Sequence, residues 1–176
     1  MKKQQAKKKK LVKKSFWNQR NIIIISVVIT ALVTSYFLFF KKPSEPQFVK
    51  QGEVTFLKKN TKQLVKKIDV EVANKPKERS QGLMYRSHMD EDNGMLFIFD
   101  RPDKESFWMK NTIISLDIMF IDSVGIIDTI YRKTTPYSER SLPSRRKVQF
   151  VVEVNGGWSD KNGVKENDLI EFKVDK

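Results

Sequence analysis

A chain of 176 residues without a cysteine carries no disulfide, no thiolate metal site and no cysteine nucleophile, so its stability rests on packing in any redox compartment. Its formal charge of +13, from 34 Lys+Arg against 21 Asp+Glu, would suit a nucleic-acid binder. The distribution argues otherwise. Eleven of the basic residues precede Pro43 and no acid does, leaving 23 against 21 in the remainder, so that part has no net basic excess with which to hold a large anion.

In chain order, residues 1–21 form a basic tail: Lys2, Lys3, Lys7 to Lys10, Lys13, Lys14 and Arg20, with no acid among them. Residues 22–40 are uncharged and almost wholly apolar. As a helix rising about 1.5 Å per residue they span roughly 28 Å, close to the hydrocarbon thickness of a bilayer. Retention of Lys and Arg on the cytoplasmic side then predicts a single-pass signal-anchor in the cytoplasmic membrane. The amino end stays inside, and the rest is extracytoplasmic, in the cell envelope. A cleaved signal peptide would have a shorter apolar core and a small-residue exit, whereas this run ends in Phe39-Phe40-Lys41. A lipoprotein anchor needs a cysteine. A basic arm for nucleic acid is the remaining alternative, and the position of the lysines against the apolar run favours topology.

Residues 41–62, with Pro-Ser-Glu-Pro and Lys-Lys-Asn, read as a linker with room for one short edge strand around Val54 to Leu57. Residues 63–176 are expected to be one β-rich globular domain. Val65, Ile68, Val70 and Val72 suggest a strand, and Asn74-Lys75-Pro76 starts a helix from Pro76 to about Arg86. Gly94 opens a short buried strand through Phe99, and Ser106 to Thr112 suggests another. Leu116 to Ile121 and Ile126 to Tyr131 flank Asp122-Ser123-Val124-Gly125 and should pair as a hairpin. Lys147 to Val154 and Leu169 to Val174 complete the strands, with Gly156 to Gly163 a loop or one short helix. Short returns between strands predict an α+β fold: an antiparallel, barrel-like or strongly curved sheet carrying one or two short helices, preceded by one transmembrane helix.

The densest run of distinctive residues lies between Gly82 and Asp122: Gly82-Leu83-Met84-Tyr85-Arg86, Asn93-Gly94-Met95-Leu96-Phe97-Ile98-Phe99, Phe107-Trp108-Met109-Lys110-Asn111-Thr112 and Leu116-Asp117-Ile118-Met119-Phe120-Ile121. With Val152-Glu153-Val154-Asn155-Gly156-Gly157-Trp158, these ordered blocks closely resemble the domain of unknown function 192 family (uncharacterised protein family 127), over about residues 64 to 174. The resemblance implies a small exported or membrane-anchored β-rich bacterial or archaeal protein and brings no established activity. Two departures stand out: Ser115 where a proline is common, and His88-Met89 in place of a Ser-Leu type of step.

Asp117 sits between Leu116 and Ile118 in an apolar strand, on the alternate face with Met119 and Ile121, and Glu153 repeats the situation in Phe150-Val151-Val152-Glu153-Val154. Buried carboxylates must be paired or neutral. Arg86, Lys110 and Asn111 are candidate partners. The plainer account is an internal network that fixes strand register. The functional one is a site for a small anionic or glycan ligand, in which Arg86 or Lys110 holds an anion, Trp108 stacks, and Asp117 or Glu153 orients a hydroxyl. Hydrolysis of an envelope glycan or small anionic metabolite by Asp117 and Glu153 as acid and base is the catalytic alternative.

Five of six methionines, Met84, Met89, Met95, Met109 and Met119, lie within 36 positions, and His88 follows Met84 by four. Copper handling through Met84 and His88 is therefore a further alternative, set against Met as ordinary core filler. Asp90-Glu91-Asp92-Asn93-Gly94 lacks the later ligands of a calcium loop and reads as a solvated turn. Ser141 and Ser144 lack a nucleophile elbow. No catalytic residue, metal or cofactor is expected, nucleic acid is not expected as a partner, and no protein partner is indicated. The sequence thus favours a membrane-anchored, non-catalytic binding or envelope-accessory module, with Arg86, Trp108, Lys110, Asn111, Asp117 and Glu153 as its candidate site.

Overall fold

The computed structural model describes residues 19, 21–36 and 45–175. The chain divides into two compact units, Met1–Ser44 and Glu45–Lys176. In the first, residues 21–36 are helical (α1), and apolar side chains along them, such as Ile24, Val28 and Leu32, are exposed. Among the described residues no helix is long and apolar enough to cross a membrane. The last part of the expected span, 37–40, most of the basic tail and linker positions 41–44 lie outside the described residues.

The second unit is a β-rich α+β domain. Its strands are β1 (Gly52–Leu57), β2 (Leu64–Ala73), β3 (Asn93–Asp103), β4 (Ser106–Phe107), β5 (Leu116–Ile121), β6 (Ile127–Tyr131), β7 (Leu142–Pro143), β8 (Val148–Asn155) and β9 (Leu169–Val174), with short helices α2 (Pro76–Gln81) and α3 (Trp158–Asn162). Seven strands form one sheet in the order β6-β5-β8-β3-β2-β1-β9, and β4 pairs with β7 apart from it. The expected hairpin is present: β5 runs antiparallel to β6.

Three expectations need correction. The sheet is not closed into a barrel. Its edge strands meet at one end only, where Ile126 bridges Leu169 and Ile170 N–H donates to the Gly125 carbonyl at 2.7 Å. Gly125 has φ +90°, and a Cβ there would lie 2.6 Å from the Ile170 oxygen, so the turn and the edge contact both require glycine. The sheet is also not wholly antiparallel, because β2 and β3 run parallel, joined by a crossover containing α2. Finally, β1 is an interior strand, antiparallel to both β2 and β9, not an edge piece of a linker. Its alternation places Val54 and Phe56 fully in the core, a signal too short to separate from the polar residues around it.

Helix α2 stops well before Arg86. Pro76 occupies its first position, the Glu78 carboxylate accepts the Lys75 N–H at 3.1 Å, and Gly82 ends it with φ +47° and ψ −136°. Strand β4 covers only the start of the run expected through Thr112, since Asn111 turns the chain at φ +56°.

The sheet is buried on both faces, which is why every residue of β5 is buried and all but Asp117 are apolar. One core gathers Val54, Phe56, Met119, Ile121, Val152 and Val154 with Trp158 of α3. The other gathers Leu83, Met95, Phe97, Ile118, Phe120 and Val151. Alternation along β8 thus sends Val152 and Val154 one way, and Val151 and Glu153 the other.

Candidate functional site

Register separates the two carboxylates that the sequence offered as a pair. Asp117 lies opposite Val154, and Ile118 opposite Glu153. Directly paired residues share a face of the sheet, and their chain neighbours take the other. Asp117 and Glu153 therefore point to opposite faces, and the acid–base arrangement across one bond does not form.

Asp117 is fully buried and fully engaged. Its Oδ1 accepts the backbone N–H groups of Lys133 at 2.7 Å and Gly157 at 2.8 Å. Its Oδ2 accepts the Ser159 N–H at 2.9 Å and the Ser159 hydroxyl. The expected cation partner is absent among the described residues. Four dipolar donors take its place and fix the start of α3 to β5. Arg86, buried, pairs with buried Glu71, which also accepts the Val49 N–H at 3.0 Å. Glu71 escaped the sequence reading although Val70-Glu71-Val72 carries the same signal as the strands around Asp117 and Glu153. Asn111 holds a turn: its carbonyl accepts the Tyr85 N–H at 2.9 Å, and its amide lies 3.9 Å from the Met84 sulfur. Lys110 stays on the surface, 3.4 Å from Glu139, with its ammonium 5.2 Å from the centre of the Trp108 ring. The helical spacing proposed for Met84 and His88 does not exist, since α2 ends at Gln81, and His88 pairs with Asp90 at 3.0 Å.

Glu153 differs from all of these. It is 5% exposed, it sits in the sheet between Met95 of β3 and Ile118 of β5, and no described residue hydrogen-bonds to its carboxyl. Burial pushes its pKa from the ordinary 4.5 up to about 8, so at neutral pH it is a carboxylic acid with one O–H donor and a carbonyl acceptor. It forms part of the lining of a pocket of about 330 Å³.

Three other segments, joined by Thr112, build the rest of that pocket: the end of α2 with Gly82 to Met84, Phe97 and Phe99 of β3, and Glu105 to Trp108 around β4. Gly82 leaves room beside the acid, because a Cβ there would come 3.2 Å from the Phe97 ring and 3.8 Å from the Glu153 Oε2. Arg79 ties α2 to β3 by donating to the carbonyls of Asn74 at 2.6 Å and Ile98 at 3.0 Å, with its guanidinium 5.3 Å from the Phe99 ring centre. Phe107 meets Phe97 edge-on at 5.0 Å. Glu105 has its pKa raised, by burial first and by the charge of Asp103, with Arg79 opposing. Of the six candidate residues, only Trp108 and Glu153 line this pocket. Arg79 and Glu105 were missed, since both stand in polar stretches with no hydrophobic alternation to mark them.

A family profile for DUF192, described as Uncharacterized ACR, matches residues 55–172. The chain belongs to DUF192. Among solved structures, this DUF192 chain is similar to a protein from Sinorhizobium meliloti 1021 provisionally named a transcription regulator. The identity is 38%, the TM-score 0.66, and the match covers 72% of this chain and 98% of that one. It is also similar to a protein of unknown function from Novosphingobium aromaticivorans DSM 12444, at 34% identity and TM-score 0.64, covering 68% of this chain and 83% of that one. No curated protein matches it. Four of the five blocks that carry the DUF192 resemblance contribute to one place: Gly82 to Met84, Phe97 and Phe99, Phe107, Trp108 and Thr112, and Glu153 line the pocket.

Proposed function

We propose that this DUF192 chain is a membrane-anchored, extracytoplasmic binding module whose ligand enters the pocket over Glu153. The observation that carries the binding role is the Glu153 carboxyl itself, on a residue only 5% exposed, without a hydrogen-bond partner among the described residues and lining a cavity large enough for a small molecule. A buried polar group normally finds a hydrogen bond inside the protein, as Asp117 does four times. One that finds none while lining a pocket is served by what enters the pocket. The hydrolase alternative loses its second carboxylate, because Asp117 lies on the other face with its oxygens occupied. An anionic ligand loses its holders as well, because Arg86 is paired with Glu71 and Lys110 lies outside the lining. A glycan would still find hydroxyl partners there.

The anchor is supported by the uncharged run 22–40 behind nine Lys/Arg, and by exposed apolar side chains along helical residues 21–36 that lipid would cover. The name of the Sinorhizobium protein would bring nucleic acid to mind. Near balance of charge beyond residue 42 offers no phosphate-tracking excess in support.

Native mass spectrometry of the full-length protein extracted from its own membranes tests the binding role. A small-molecule adduct that disappears in Glu153→Leu is expected. An adduct retained in that variant moves the site elsewhere. Protease added to spheroplasts tests sidedness, and a carboxyl half left uncut while an exterior control is digested overturns the extracytoplasmic placement.

A further inference from the structure

The Glu153 pocket holds two acids and one cation among its lining residues. Glu153 is buried there with no donor among the described residues. Glu105, also in the lining, is half-buried, and its carboxyl accepts no hydrogen bond from a described residue. Arg79 is the cation among the lining residues, and it is committed to the Asn74 and Ile98 carbonyls and to the face of Phe99. With both carboxyls ionised, two acids and one guanidinium leave one uncompensated negative charge. Four rings, Phe97, Phe99, Phe107 and Trp108, share the rest of the lining with aliphatic and small polar residues, and aromatic faces attract cations. Two rings of the lining already do so with the chain's own cations, Phe99 with Arg79 and Trp108 with Lys110.

Given a binding role for the domain, we propose that the ligand of this pocket is a small organic monocation, an ammonium on an apolar stem, received by Glu153 and Glu105 with its stem against Phe97 and Phe107. Once Glu153 is ionised, a monocation balances the charge of the lining. An anion would meet Glu105 and no free cation. A neutral polyol would hydrogen-bond to protonated Glu153 without drawing off its proton, so its binding would not rise with pH. Ionisation of Glu153 completes the binding step: the carboxyl releases its proton to solvent, and the carboxylate pairs with the ammonium. The groups around that carboxyl are few. Its sheet neighbours β3 and β5 present Met95 and Ile118 beside it, neither titratable. The end of α2 contributes Arg79, and the turn before β4 contributes Glu105.

The coupling to a proton gives the experiment its sign. Full-length protein in a detergent free of sugar and choline head groups is titrated calorimetrically with n-butylammonium, n-butanol, n-butyrate and glucose, at about pH 6.5 and about pH 8.5. Butylammonium is expected to bind about tenfold more tightly at the higher pH and about tenfold more tightly than butanol there. Glu153→Gln should abolish the pH dependence, and Glu105→Gln should weaken binding at both values. Butanol, glucose or butyrate bound as tightly as butylammonium, and lost in Glu153→Leu, overturns the cation while leaving the pocket as the binding site. Absence of binding by every probe, together with no Glu153-dependent adduct on the protein from its own membranes, removes both.

Discussion

The two faces of β8 and its neighbour β5 hold two buried carboxyl groups under opposite conditions. Asp117 accepts four hydrogen bonds in a closed environment built by the Gly157–Ser159 turn and Lys133, and Glu153 accepts none from the described residues. Equal burial therefore says nothing about role; the number of partners does. A saturated carboxylate is part of the scaffold, because its charge was already answered when the chain folded. An unsaturated one leaves desolvation unanswered.

The largest effect should come from the saturated group. Asp117→Ala leaves three backbone N–H groups and the Ser159 hydroxyl without their acceptor, and we expect a loss of about 4 kcal/mol in denaturant unfolding, with Asp117→Asn recovering part of it. An unchanged midpoint would erase the distinction between the two faces. Next comes Arg86→Met, which strands the buried Glu71 carboxylate that Arg86 pairs with. A loss of about 3 kcal/mol is expected, much of it restored when Glu71→Leu is added, since replacing both partners by apolar groups removes the unpaired charge.

Glu153→Gln should act in the opposite direction and only with pH. The folded-state pKa of about 8 lies above the ordinary 4.5, so between those values the unfolded chain gives up a proton that the folded chain keeps. Stability contributed by the neutral acid is thus full at low pH, declines as pH rises above the unfolded value, and levels off above about 8. Each unit of separation is worth about 1.4 kcal/mol, and solvent reaching the carboxyl through the pocket lowers the total, so a decline of about 2 kcal/mol between pH 5 and pH 9 is expected. The glutamine variant, which has no proton to lose, should show a flatter profile across that range. Parallel profiles for the two proteins would mean that the carboxyl is solvated and its face is not special.

The sequence marked both carboxyls for the same physical reason: an acid inside an apolar alternation must be either answered or neutral. What it could not supply was the partner count, because three of the four donors to Asp117 are backbone N–H groups of Lys133, Gly157 and Ser159 that carry no residue-specific signal. Strands β5, β6, β8 and β9 were legible from their apolar runs and the Gly125 turn. The interior place of β1, read as a short edge strand, and the parallel β2–β3 pairing were not, since pairing partners far apart in sequence leave no local trace. The pocket was half legible. Trp108 and Glu153 stood out by type and setting, but Arg79 and Glu105 enter the lining only because the crossover through α2 and the turn before β4 bring polar segments over the sheet.

The smallest effect belongs to the rim. Lys110 lies 3.4 Å from Glu139, with 42% and 64% of the two side chains exposed, and over Trp108, itself 47% exposed. Water screens such a pair and both side chains lose rotamer freedom in making it, so Lys110→Ala should change stability by less than about 0.5 kcal/mol. The Asp117 carboxylate is held by fixed backbone donors, whereas the Lys110 side chain at the rim can swing aside. A measured loss above about 1.5 kcal/mol would show the rim to be as rigid as the scaffold.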